Sequence, residues 1–526
     1  MTTTADPSRP VGAPTPAPIH DVPARGSGSR PRRRVVVAGG GFGGLAAAMR
    51  LLADGHDVTL LERRATLGGR ASRIRDGGFT WDTGPSLITM PWLFDDLFGL
   101  AGSSLAAEVR LHELDPMYRI YWTDDARHFD FMRDVDGLRR EMLRFDAHDA
   151  ANLDRFLAAT KAIHEQGILR YGRVPFTRAA DFVKLLPTMV RLDAIRFLGS
   201  FVAGYFDERH VRQVFDFHSL FIGGDPYRVP AIYAALVYLQ IADGAWYAEG
   251  GVYSIVEAMA RAVEAGGGRI VTGDGVAQVL HANGRVRAVR TDSGAEVPAD
   301  IVVYNGDVTG RDRIVPDARD VLPWRLRPLR TTMSAYLLYL GTDRTFPRLL
   351  HHTLVVGDDY RGFIREVTHE RRLPTSFSVY IHAPTRTEPA MAPAGGDALT
   401  VLLPVPNLRS GDDWTEVERA LRDRLIDWLE GPAGLPGLRS SIVAEHSWTP
   451  LTFRDALGAT DGNAFAVEPT LQQSAYFRQP NRDRVLRGLY YVGGGTHPGA
   501  GLPGTLLTAQ VTADLVRADT AAGRLR

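Results

Sequence analysis

One glycine spacing, set inside a strand–turn–helix–strand stretch, constrains this chain more than any other feature. Arg34 to Glu62 reads RVVVAGGGFGGLAAAMRLLADGHDVTLLE. A β-branched run meets Gly39, Gly41 and Gly44 at GxGxxG spacing, an apolar helical run follows, and a second strand closes on an acid. That order is a dinucleotide-binding βαβ unit. Gly39 permits the tight turn, Gly41 lets backbone approach a pyrophosphate, and Gly44 allows helix to pack on strand. Phe42 and Gly43 open the helix, whose first amides and dipole face an anion. Glu62 falls where a carboxylate accepts both hydroxyls of an adenosine ribose. A lone GxGxxG arises by chance, but here strand, glycines, helix and acid fall in the required order.

Composition narrows the rest. A chain of 526 residues exceeds the usual single-domain range. Its 61 basic and 61 acidic residues balance, which argues against a nucleic-acid partner. With no cysteine there is no disulfide framework, dithiol centre or thiolate metal site. The 15 histidines show no HExxH or comparable spacing, so no metal is expected. Residues 1–33 read as a disordered Pro/Arg-rich tail, because Met1 to Pro31 hold seven prolines among small polar residues. Arg32, Arg33 and Arg34 are not an export signal, since the apolar run behind them is the first strand. The longest apolar run, Ala231 to Ala242, includes Gln240 and is too short to span a bilayer.

The residues after Glu62 choose the dinucleotide. Arg63, Arg64, Gly68, Gly69 and Arg70, in RRATLGGRAS, resemble the GG motif of the FAD-containing amine oxidase and carotenoid desaturase superfamily. Two glycines let the chain pass close to the flavin-side phosphate and Arg70 neutralises it; the alternative is a Gly-Gly turn with a solvated arginine. Arg269 to Asp307 reads as a β meander with hairpins at Asn283-Gly284 and Ser293-Gly294, then a returning strand. The resemblance places the backbone near Val276 on the adenine side.

Gly488 to Gly504, GLYYVGGGTHPGAGLPG, leads into the helix-forming run LLTAQVTADLVRA. It resembles the C-terminal signature of bacterial and fungal-type phytoene desaturases, with Gly494 where alanine is common. A Gly/Pro-rich loop opening a helix directs amides at the flavin, which implicates Gly494, Gly495 and Leu502 in cofactor binding. Blocks in the order of that family run through FTWDTGPSLIT at Phe79, FDFHSLFIGG at Phe215, HHT at His351, SVYIHAP at Ser378, FRD at Phe453, FAVEPTLQQS at Phe465 and YFRQPNRD at Tyr476.

The expected fold is α/β, a Rossmann-like FAD domain joined to a mixed-sheet and helical substrate domain. The FAD domain is expected from residues 34–111, 246–310 and 488–526, and the substrate domain from 112–245 and 311–487. Ala335–Leu340, Phe377–His382 and Leu399–Val405 read as strands of a mixed or antiparallel sheet over the site. Arg178 to Phe206 reads as helical, with Pro187 kinking or restarting it. Its apolar face, with Lys184, Arg191 and Arg196 alongside, suits either a core or a bilayer interface; the family's hydrocarbon substrate favours the latter.

Resemblance implies FAD-dependent oxidation of CH–CH units in phytoene toward neurosporene or lycopene, with quinone or oxygen as terminal acceptor. It also implies a cytoplasmic protein held peripherally at the inner face of the cell membrane. His497 and His218 are weak candidates for a base, each more readily read as a loop-orienting or core histidine. The rival readings are a related enzyme acting on a hydroxylated or C30 carotenoid, and a flavin amine oxidase. Oligomeric state has no signature in the sequence.

Overall fold

The computed structural model describes residues 32–317 and 329–525. Of the expected tail at 1–33, residues 1–31 lie outside them. Arg34–Ala38 is buried from its second residue onward, as befits a strand covered on both faces. It is the centre of a five-stranded sheet in the order Leu489–Tyr491, Ile301–Tyr304, Arg34–Ala38, Asp57–Glu62, Arg269–Thr272. Every pairing in this sheet is parallel. Helices Phe42–Ala53, Tyr253–Ala265 and Leu502–Ala521 share one apolar core with it. The meander Val276–Ala282, Arg285–Thr291, Glu296–Pro298 covers its other face through Val279, Val286 and Val289. Arg269–Thr272, expected within the meander segment, joins the edge of the parallel sheet instead.

The chain leaves Arg34–Ala38 toward one side and returns from Ile301–Tyr304 on the other. The crevice beyond their carboxyl ends is therefore a switch point, where open parallel sheets bind ligands.

A second sheet has seven strands, ordered Ile442–Trp448, Ser334–Thr342, Asp397–Val405, Val379–His382, His352–Val356, Tyr118–Trp122, His128–Phe131. It is mixed, because His352–Val356 runs parallel to Tyr118–Trp122 and the other neighbours are antiparallel. It shares a core with the helices Ala147–His164, Arg209–Asp216 and Ala235–Asp243. Both sheets lie in one compact unit.

Between Arg178 and Phe206 the expected continuous helix is divided. Ala179–Arg191 runs through Pro187, which sits on the exposed side where a missing amide costs least. Asp193 then takes φ +52° and ends the helix, and Leu198–Val202 is a separate short one. No helix among the described residues is long and apolar enough to cross a membrane.

Candidate active site

A cavity of about 680 Å³ begins at the switch point and continues beneath the seven-stranded sheet. Gly39, Gly41, Phe42, Gly43, Glu62, Arg63, Gly69, Arg70, Val276, Gly494, Gly495, His497 and Leu502 all line it; Gly44 and His218 do not. Gly39 has φ +108°, and its amide donates to the Leu61 carbonyl at 2.8 Å. A Cβ on Gly44 would lie 2.0 Å from the Gly39 carbonyl oxygen, so this glycine seats the helix against the turn rather than facing the cavity.

Glu62 is 8% exposed. Its carboxylate accepts from the Gly40 amide at 2.6 Å and from the Arg64 amide at 2.9 Å. Each oxygen keeps a lone pair for a hydroxyl donor. The Gly68 amide donates to the Gly40 carbonyl at 2.9 Å, tying the two glycine loops together. Arg64 braces the second loop by donating to the Gly69 carbonyl at 3.0 Å and to Ser72 Oγ at 2.9 Å. Arg63 is exposed and pairs with Asp292. The Arg70 guanidinium donates weakly to Asn463, and its buried Nε has no partner among the described residues. Burial lowers its pKa, and only Asp307 opposes this.

Further in, the walls turn apolar, with Ile168, Leu185, Met189, Phe221, Ile232 and Leu236 among them. A short polar chain interrupts them. Tyr380 Oη lies 2.5 Å from Ser86 Oγ and 2.7 Å from His352 Nδ1, and all three residues line the cavity. His352 Nε2 has no partner among the described residues. Behind it, His382 Nε2 and His351 Nε2 stand 3.2 Å apart, and His351 Nδ1 contacts Thr387 Oγ1 at 2.6 Å. Burial pushes His351 down to about 3 and holds His352 and His382 well below the usual histidine value, so all three are neutral. Their nitrogens lie within 4.8 Å of one another, a donor set that was not anticipated from sequence spacing.

His497 is 5% exposed with Phe176 edge-on at 5.0 Å. Burial, then the neighbouring Arg478, push its imidazole down to about 3. His218 is fully buried behind the wall. Its Nε2 lies 2.8 Å from Tyr118 Oη, which itself donates to Gln240 Oε1 at 2.8 Å. His218 therefore meets the cavity through residues that line it, Tyr118 among them. Sequence reasoning missed Asn305, Ser86, Tyr380 and Arg478, all of which line the cavity.

Residues 42–517 match the family model of the flavin-containing amine oxidoreductases. The chain belongs to that family. Within it, the chain is 39% identical over 487 residues to a lycopene-forming phytoene desaturase of Pantoea ananas, covering 92% of this chain and 99% of that one. A neurosporene-forming phytoene desaturase of Rhodobacter capsulatus is 35% identical over 492 residues, covering 92% and 94%. A solved putrescine oxidase structure superposes with TM-score 0.63 at 15% identity, covering 93% of this chain and 99% of that one, which shows the shared fold. This flavoenzyme family uses FAD, and the cradle fits it. The glycines leave room for phosphate, Glu62 has acceptor capacity to spare, and Arg70 carries a buried, underused guanidinium.

Proposed function

We propose that this chain is an FAD-dependent phytoene desaturase, oxidising CH–CH units of a membrane-dissolved C40 polyene stepwise toward neurosporene or lycopene. The observation that carries this reading is the 39% identity to a lycopene-forming desaturase across 92% of the chain. The cavity agrees with it, since a dinucleotide cradle opens directly into an apolar chamber suited to a hydrocarbon. Bound FAD supplies the two-electron acceptor for hydride leaving an allylic carbon, and is restored by a quinone or oxygen.

The chain's own residues do the rest. In this proposal Gly39, Gly41, Phe42, Gly43, Gly69, Arg70, Gly494, Gly495 and Leu502 hold the cofactor, with Glu62 on the ribose, Arg63 beside the same loop and Val276 at the adenine. Leu185, Met189, Ile232 and their neighbours exclude water and align the polyene. The proton lost with each double bond is received at Tyr380 Oη as that hydroxyl, bonded also to Ser86, passes its own proton to His352 Nδ1. Residues 34–111, 246–310 and 488–526 form the cofactor domain, and 112–245 with 311–487 the substrate domain.

Membrane contact is proposed for the helix Ala179–Arg191. Leu185 and Met189 face the cavity, while Val183 and Val190 are 60% and 67% exposed and Phe197 beyond the helix is 54% exposed. Lys184 and Arg191 flank this apolar surface, an arrangement suited to a peripheral position on the cytoplasmic leaflet.

The test is reconstitution with FAD on liposomes containing phytoene, followed by visible absorption and product extraction. New polyene bands of neurosporene or lycopene type are expected. Bound FAD with phytoene returned unchanged would overturn the substrate assignment and direct the assay to later carotenoids.

A further inference from the structure

The C-terminal glycine loop encloses a buried cation to which the proposed reaction gives no role. Arg478 is 2% exposed and lines the cavity. One terminal nitrogen donates to the Gly494 carbonyl at 2.7 Å, and its Nε has no partner among the described residues. No carboxylate pairs with it among the described residues. The loop closes over it: a Cβ on Gly499 would stand 3.5 Å from its Cζ and 3.7 Å from each terminal nitrogen. The two carboxylates on the cavity wall are engaged elsewhere, Glu62 with the amides of Gly40 and Arg64, and Asp307 with Thr309 and Asn463.

A buried guanidinium without a counter-charge is costly, and it persists where an anion offsets it. In the cofactor placement proposed above the pyrophosphate is not that anion, because it lies at the other glycine turn, with the Phe42–Ala53 helix and Arg70. Arg478 stands instead beside Gly494 and Gly499, on the loop that opens the 20-residue helix Leu502–Ala521. The positive end of that helix adds to the same local field. Two sources of positive charge thus meet at one place on the cavity wall.

We propose that Arg478 is the counter-ion for the negative charge that the ring system of bound FAD acquires when it takes up a hydride, and that it thereby strengthens the oxidant. The inference rests on the flavin reading above. Arg478 keeps its proton throughout and forms no bond. The hydride carries both electrons of the broken C–H bond, the adjacent carbon releases the proton, and Arg478 favours the more negative state of the bound group.

The test uses purified holoenzyme with Arg478→Met and Arg478→Lys, and needs no turnover. FAD content is read from absorbance, and sulfite titration and the flavin midpoint potential report positive charge beside the ring. Arg478→Met is expected to weaken sulfite binding about tenfold and to lower the two-electron midpoint by about 30 mV, the equivalent of a tenfold change. Arg478→Lys is expected to stay within about threefold of wild type. If Arg478→Met fails to retain FAD, the lysine variant decides: near-wild-type sulfite affinity supports the proposal, and a tenfold loss overturns it. Unchanged sulfite affinity and potential in a flavin-loaded Arg478→Met protein overturn it too, leaving the arginine as a pin for Gly494. Wild-type protein that binds no FAD would bring down the flavin reading and this proposal together.

Discussion

Asn305 Nδ2 donates to the Gly39 carbonyl at 3.1 Å, fastening the end of strand Ile301–Tyr304 to the glycine turn of the strand beside it. The same side chain governs more than that turn. A Cβ added at Gly41, Gly43, Gly44 or Gly493 would come within 3.2 Å of an Asn305 side-chain atom. One amide thus spaces the first and last glycine loops, which lie about 450 residues apart in the chain.

Asn305→Ala is therefore expected to lower FAD affinity about tenfold, since losing one such hydrogen bond costs about 1 to 1.5 kcal/mol. Fluorescence titration of released and rebound FAD measures it. Wild-type affinity in the alanine variant would show that the glycine turn holds its shape alone.

Gly44→Ala probes the helix seat. The new methyl would lie 2.0 Å from a backbone oxygen that cannot rotate away, so the helix must shift bodily. Overpacking of this kind costs about 1 to 3 kcal/mol or more, and a lowered Tm with loss of FAD is expected. Gly99→Ala is the control, because its Cβ meets nothing within 4 Å and it lies in the helix Pro91–Leu100. It is expected to be neutral or stabilising by up to about 1 kcal/mol.

What was legible in the sequence was what local chemistry specifies. Gly39 declares a turn because its φ of +108° favours glycine, Gly41 and Gly44 declare close approach because a Cβ there would crowd Asn305 and the Gly39 carbonyl, and Asn283-Gly284 declares its hairpin through two left-handed residues. The residues that were missed gain their meaning across the fold. Asn305 meets Gly39 over 266 positions, and Tyr380 meets Ser86 over 294. The strand His352–Val356 becomes readable only beside Tyr118–Trp122, a parallel pairing that no local pattern announces. The histidine trio arises because His352 and His382 are register partners on neighbouring strands. The helix at Ala179–Arg191 was legible by its period, but its end at Asp193 was not, since a non-glycine residue in the left-handed region carries no consistent sequence signal.

Tyr380→Phe separates proton handling from cofactor binding. It removes the hydroxyl shared by Ser86 and His352 while leaving the ring in place. Turnover is expected to fall tenfold or more with FAD content unchanged. His218→Phe, which lies behind the wall, should slow turnover far less. Equal losses in the two variants would remove Tyr380 from its proposed role.

Val183→Asp and Val190→Asp place a carboxylate on the exposed apolar side of the helix Ala179–Arg191. Neither valine is buried, so the fold should tolerate both. Co-sedimentation with anionic liposomes is expected to drop several-fold for each variant and more for the pair. Undiminished sedimentation of the double variant would move the membrane contact elsewhere.

His164 supplies a pH prediction. It is 4% exposed, its ring nitrogens have no hydrogen-bond partner among the described residues, and burial pushes it down to about 4 from an ordinary 6.5. Below pH 6.5 the unfolded chain takes up a proton here that the folded protein refuses. Stability is thus complete above about 6.5 and falls as pH drops toward 4. For this residue alone the loss at pH 5 is about 2 kcal/mol. His218, His351 and His497 are depressed in the same direction and steepen the decline. His164→Phe, which keeps an aromatic ring against Tyr238, is expected to narrow the difference in Tm between pH 7.5 and pH 5. Thermal melts at the two pH values measure this, and an unchanged difference would mean that His164 ionises freely in the folded protein.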